Sequence, residues 1–163
     1  MIRITKNDHH HGYSLVELII AIAIVAILAG ISTYSWNRYI LNNHLRTAAR
    51  NIVTDFQHCK AKAASENRDY RITFSTDNDN YTISAAATSN LSAVSLVKTP
   101  LSSGEGSAID ITESAFGTGS SATFQKRGIT VPSGHVILQN ARNSTATITI
   151  NTVGKAYVIF NMQ

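Results

Sequence analysis

The sequence predicts an α+β protein, with a long N-terminal helix packed against a mostly antiparallel β-sheet domain. Three observations carry this. Leu18 to Ile31 is an unbroken apolar run apart from Gly30. Hydrophobic residues then recur at helical spacing from Leu41 to Ala63. From Tyr70 the period changes to two, the signature of half-buried strands.

Residues 1–12, MIRITKNDHHHG, form a polar leader with basic character, and the only charge between Tyr13 and Trp36 is Glu17. As a helix, residues 13–36 would be about 36 Å long, enough to cross a ~30 Å hydrocarbon core. A secretory signal peptide would end in an A-x-A-like site. The exit here, Ala29-Gly30-Ile31-Ser32-Thr33-Tyr34, fits that poorly. A plain signal anchor, which would leave an unassembled periplasmic domain, accounts for the hydrophobicity but not for Glu17. A charged side chain costs about 2.5–3.5 kcal/mol at the bilayer centre, and less near the interface where Glu17 would lie. Such charges usually have a partner.

The second half of the helix is one-sided. Leu41, Leu45, Ala48, Ile52, Phe56, Cys59 and Ala63 share a face, while Asn42, Asn43, Arg46, Arg50, Gln57 and Lys60 fall mostly elsewhere. No proline interrupts residues 1–99. One helix from about Ser14 to Ser65, roughly 78 Å long, follows. Residues 13–36 are apolar all round and residues 37–66 are amphipathic, with Gly30 as a soft point. Cys59 lies on the apolar stripe and reads as a buried, inert thiol. As the single cysteine it excludes an internal disulfide.

Residues 67–163 read as a β-rich globular domain. Tyr70, Ile72 and Phe74 alternate with polar residues, as do Tyr81, Ile83 and Ala85 beyond the loop 76–80, which makes a hairpin. Leu91 to Val97 is a third strand. Residues 102–121, rich in Ser, Gly, Thr and Ala, read as a variable loop with one short strand at 108–112. Segments 122–125, 135–139, 147–151 and 156–160 are the later strands.

Composition narrows the function classes. Charged residues make up 15% of the chain, against ~25% in typical soluble domains. The formal charge of +4 would fall to about +3 without Arg3, Lys6 and Asp8 of the leader, far from the dense basic runs of a dedicated nucleic-acid binder. His44, His58 and His135 are scattered, and His9, His10 and His11 lie in the leader. Asp77 and Asp79 lack the further ligands of a calcium loop. Nothing in the pattern supports an enzyme, a cofactor or a metal site.

Gly12-Tyr13-Ser14-Leu15-Val16-Glu17-Leu18 and the apolar run behind it resemble the class III leader of type IV pilins and type II secretion pseudopilins. The first mature residue departs from the family pattern, with Tyr13 where phenylalanine is usual. The resemblance implies that a prepilin peptidase cuts the Gly12–Tyr13 bond and N-methylates Tyr13. It implies a single-pass protein of the bacterial inner membrane with its C-terminal domain in the periplasm. An inner-membrane assembly platform then adds it to other pilins or pseudopilins. Cleavage leaves a positive amine on Tyr13, and Glu17 can pair with that amine on a neighbouring subunit, setting axial register.

A finer resemblance covers the C-terminal part. Phe124 with Gly128-Ile129-Thr130, the 147–151 strand, Val153-Gly154-Lys155 and a final strand are similar to the GspH/FimT family of minor pilins and pseudopilins. This implies a minor subunit near a filament tip, in either a type II secretion pseudopilus or a type IV pilus. FimT-type members take up DNA through a basic motif beginning Gly-Arg. Here Lys155 follows Gly154, one cation where that motif has two arginines, and Lys126, Arg127 and Arg142 are the other candidate DNA contacts. The plainer interpretation of Gly154-Lys155 is an exposed hairpin tip.

Overall fold

A computed structural model of the chain describes residues 14–89, 91–98 and 109–163, with side chains for all of these except 31–36. The leader, the Gly12–Tyr13 junction and the segment 99–108 lie outside the described residues. Helix α1 spans Leu15–Glu66, within a residue of the expected bounds. The Ser14 carbonyl accepts the Leu18 amide at 3.2 Å. Ser14 with Glu17 three positions on has the spacing of a capping box, which favours a helix start here. The helix stops at Asn67, whose φ of 50° is the left-handed geometry that ends helices.

The chain divides into two units, residues 1–38 and 39–163. In the first, every side chain from Leu15 to Gly30 is exposed. Among the described residues no helical stretch is long and apolar enough to cross a membrane. The span expected over 13–36 runs on through residues whose side chains lie outside the described set.

The second unit holds the sheets. Its strands are β1 (Tyr70–Ser75), β2 (Asn80–Ala85), β3 (Val94–Lys98), β4 (Ile109–Phe116), β5 (Ser121–Phe124), β6 (Thr130–Val131), β7 (Gly134–Asn140), β8 (Thr145–Ile150) and β9 (Ala156–Asn161). One sheet has the order β3-β2-β1-β5-β6 and the other β4-β7-β8-β9. Every pairing is antiparallel. The α+β architecture is therefore the expected one.

The core follows the sequence pattern. Leu45, Ala48, Ala49, Ile52, Phe56, Cys59 and Ala63 of the helix are buried, each large apolar side chain contributing roughly 1.5–3 kcal/mol. Phe56 meets Phe74 edge-on at 6.1 Å and Phe124 at 5.7 Å, while Phe74 stacks on Phe116 at 5.6 Å. These rings join helix, first sheet and β4 in one core.

Two expectations need correction. The short strand expected at 108–112 within the 102–121 loop is instead a strand of eight residues, Ile109–Phe116. The register shifts between Ile111 and Glu113. That bulge displaces the inward–outward alternation, so Phe116 returns to the core without a period-two signal. The third strand starts at Val94, and Leu91 forms only an isolated bridge with Thr88. The two-residue strand β6 is too short to leave any periodicity.

Candidate functional site

Two regions gather the residues singled out from the sequence. The first is the start of α1. The large apolar side chains from Leu15 to Leu28 are each more than half exposed. A continuous apolar surface of this kind marks a membrane or protein contact. Glu17 is the acid in the first helical turn, where a carboxylate also complements the helix dipole by about 0.3–1 kcal/mol. Its neighbours Gly12 and Tyr13 lie outside the described residues.

The second region lies where the residue 125–129 turn meets the residue 151–155 turn. The Thr130 amide donates to the Thr152 carbonyl at 2.9 Å, which ties the two turns together. Lys60 of α1 reaches into the same place and donates from Nζ to the Val153 carbonyl at 2.7 Å. Gly128 and Gly154 both have positive φ, 81° and 72°. A Cβ on Gly154 would sit 2.9 Å from Lys60 Cδ and 3.1 Å from Thr130 Oγ1. Glycine is therefore required at 154 twice over, by backbone angle and by space. Lys126, Arg127 and Lys155 project as exposed side chains from these joined turns.

Arg142 does not join them. It sits in the residue 141–144 turn, its amide bonded to Asn140 Oδ1, and Asn140 is bonded to Asn42 of the helix. That turn is at the opposite end of β8 from Lys155, roughly 20 Å away for a six-residue strand. Sequence reasoning missed Lys60, whose partner lies 93 positions away. No local pattern could have announced it.

The remaining polar groups at depth are structural. Tyr81 donates to Asp55 Oδ2 at 2.5 Å, and Lys98 reaches Asp55 Oδ1 at 2.7 Å. At the helix exit Arg68 binds Glu66, Tyr70 and the carbonyls of Ala86 and Ser92. Glu66 is held below the usual carboxylate range, chiefly by the Tyr70 hydroxyl. Burial, reinforced by nearby Asp55, pushes the Cys59 thiol up to about 12. This thiol is not a nucleophile. Asp79, read as part of a hairpin loop, accepts the Ile111 amide at 2.8 Å. Among the described residues no group of three His, Cys, Asp or Glu side chains is placed to hold a metal ion.

Comparison with known proteins adds to this geometry. Residues 48–154 match the family model described as type II transport protein GspH, more than half of the chain. Residues 7–33 match the prokaryotic N-terminal methylation motif. No curated protein matches the sequence. The fold is similar to that of the minor pseudopilin EpsH from the type 2 secretion system of Vibrio cholerae. That match has a TM-score of 0.54 at 11% identity and covers 72% of this chain and 97% of that one. At such identity the likeness concerns the fold.

Proposed function

Because the chain belongs to the GspH family of type II transport proteins, we propose that it is a minor pseudopilin, a structural subunit added near the tip of an envelope-spanning filament. It is made as a prepilin in the bacterial inner membrane, with residues 39–163 in the periplasm. A prepilin peptidase cuts after Gly12 and methylates the new amine of Tyr13. The inner-membrane assembly platform then lifts the subunit into the filament beside other pseudopilins. The family description favours a type II secretion pseudopilus over a type IV pilus.

The observation that carries this reading is the exposed apolar surface of Leu15–Leu28 with a single acid, Glu17, in its first turn. In the filament that surface packs against the same segments of neighbouring subunits. Glu17 answers the methylated amine of an adjacent Tyr13, and the pair sets the axial step. The removal of one partner would leave an uncompensated buried charge, which is strongly unfavourable. The chain purified from membranes is expected to begin at Tyr13 and to carry one N-methyl group by intact-mass analysis. Recovery with the leader attached would reduce the protein to a signal-anchored domain.

DNA uptake is the second reading, favoured by Lys126, Arg127 and Lys155 sharing one pair of joined turns. It is the weaker one, because Arg142 stands at the far end of β8. A gel shift with residues 39–163 at low salt tests it.

A further inference from the structure

A sheet edge presents unpaired N–H and C=O groups, and folded proteins guard such edges with short strands, bulges, prolines or charges. Among the described residues the strands at the sheet edges are β3, β6, β4 and β9. Strand β6 has two residues and runs into Pro132. Strand β4 is bulged and carries Asp110 and Glu113. Strand β3 carries Lys98, which turns inward onto Asp55. Strand β9, Ala156-Tyr157-Val158-Ile159-Phe160-Asn161, has no charge, no proline and no register break. Tyr157 and Ile159 are 49% and 61% exposed on its outer face, while Val158 and Phe160 pack against the core.

The flanking turns assign its backbone groups. The Asn151 amide donates to the Lys155 carbonyl, and the Asn140 amide to the Ser144 carbonyl, both at 3.1 Å. Antiparallel ladders alternate between bonded and non-bonded pairs. Counting from either turn gives the same parity. Tyr157, Ile159 and Asn161 bond to β8, and the N–H and C=O groups of Ala156, Val158 and Phe160 face the open side. We propose that this edge receives an extended, uncharged strand from a different subunit of the same filament, adding to the β4-β7-β8-β9 sheet. This rests on the assembly reading above.

The occupant follows from chemistry and direction. An extended backbone matches such a row of alternating donors and acceptors group for group, in place of water. Strand β9 begins at the turn held by Lys60 and ends near Ser144, beside the Asn140–Asn42 contact. It therefore runs opposite to α1. In the assembly read above, Glu17 of each subunit answers Tyr13 of the next, which holds the helices parallel, so an antiparallel partner strand must run along its own helix. A second copy offers β9 in the wrong direction. Its β4 runs the right way but is bulged and carries two acids.

A photo-crosslinking residue at position 159, and separately at 112 on the guarded β4 edge, tests this in the full chain made with the other methylation-motif subunits of its system. The expected result is a crosslink from 159, and none from 112, to a different methylation-motif subunit. Val158→Pro removes one outward N–H without touching the β8 ladder, and Ile159→Lys adds an edge charge. Each should lower filament incorporation by about tenfold or more, while residues 39–163 keep their melting temperature in the Ile159→Lys variant. The inference is overturned if the wild type is incorporated but 159 crosslinks only to a second copy or to nothing. Normal incorporation of both variants overturns it too, as does an equal crosslink from 112. Absence of the wild type from the filament fraction would instead overturn the assembly reading, and this inference with it.

Discussion

Alanine at Asp55 removes an acceptor that two side chains share. Tyr81 donates to Oδ2 at 2.5 Å, and Lys98 lies 2.7 Å from Oδ1 and 3.0 Å from Oδ2. Tyr81 is 1% exposed, so its hydroxyl would be stranded away from water at a cost of about 1–3 kcal/mol. The Lys98 side chain is 37% exposed and regains solvent, which limits its share to about 0–1 kcal/mol. Asp55→Ala should therefore destabilise the domain by about 1–4 kcal/mol. The assay is urea unfolding of residues 39–163, a compact unit with its own core, followed by far-UV circular dichroism. Tyr81→Phe in the Asp55→Ala background removes the stranded hydroxyl. The double variant should then cost less than the sum of the singles by on the order of 1 kcal/mol. A loss below about 0.5 kcal/mol for Asp55→Ala, or strict additivity, would show that Asp55 does not hold the Tyr81 hydroxyl in this way.

Other outcomes follow from the same geometry. Gly154→Ala should cost about 1–2 kcal/mol in backbone strain, plus displacement of Lys60, whose Cδ lies 2.9 Å from the new Cβ; thermal unfolding would read it, and Lys60→Ala should relieve only the second part. Gly134→Ala, where a Cβ would collide with the Ala115 carbonyl, should destabilise far more than Gly119→Ala, where nothing lies within 4 Å. The folded Cys59 thiol keeps its proton up to about 12, while the unfolded thiol ionises near 9.0. Stability should thus be full below pH 9 and fall as pH rises towards 12, by up to ~1.4 kcal/mol per pH unit. Tyr81, also raised by burial, should add to the fall above about pH 10. Cys59→Ala should flatten the early part of that curve. Residues 39–163 should give no salt-sensitive gel shift with DNA, and a shift abolished by Lys155→Ala would revive the DNA-uptake reading.

Much of the fold was legible because its signals are periodic. The apolar stripe from Leu45 to Ala63 and the alternation through Tyr70–Phe74 and Tyr81–Ala85 each report burial directly. The second half of strand β4 was hidden because the bulge at Ile111/Glu113 breaks the period on which recognition depends. The N-terminal methylation motif was legible because it is local in sequence, within residues 7–33. The candidate site was illegible where chemistry is tertiary. Charge alone could not separate Arg142 from Lys126, Arg127 and Lys155, since the ends of β8 that part them emerge only on folding. Lys60 drew no attention because its contact with Val153 closes across most of the domain. The unguarded edge of β9 became visible only once sheet order marked it as an edge.

In the proposed assembly Glu17 acts through its charge. A capping box accepts glutamine as well as glutamate, so Glu17→Gln keeps the helix start intact and removes only the charge. The decisive measurement is the fraction of processed protein recovered in sheared filaments for wild type, Glu17→Ala and Glu17→Gln, with membrane levels as the reference. Both variants are expected to remain in the membrane and to be lost from filaments. Normal incorporation of Glu17→Gln would contradict this role of the charge.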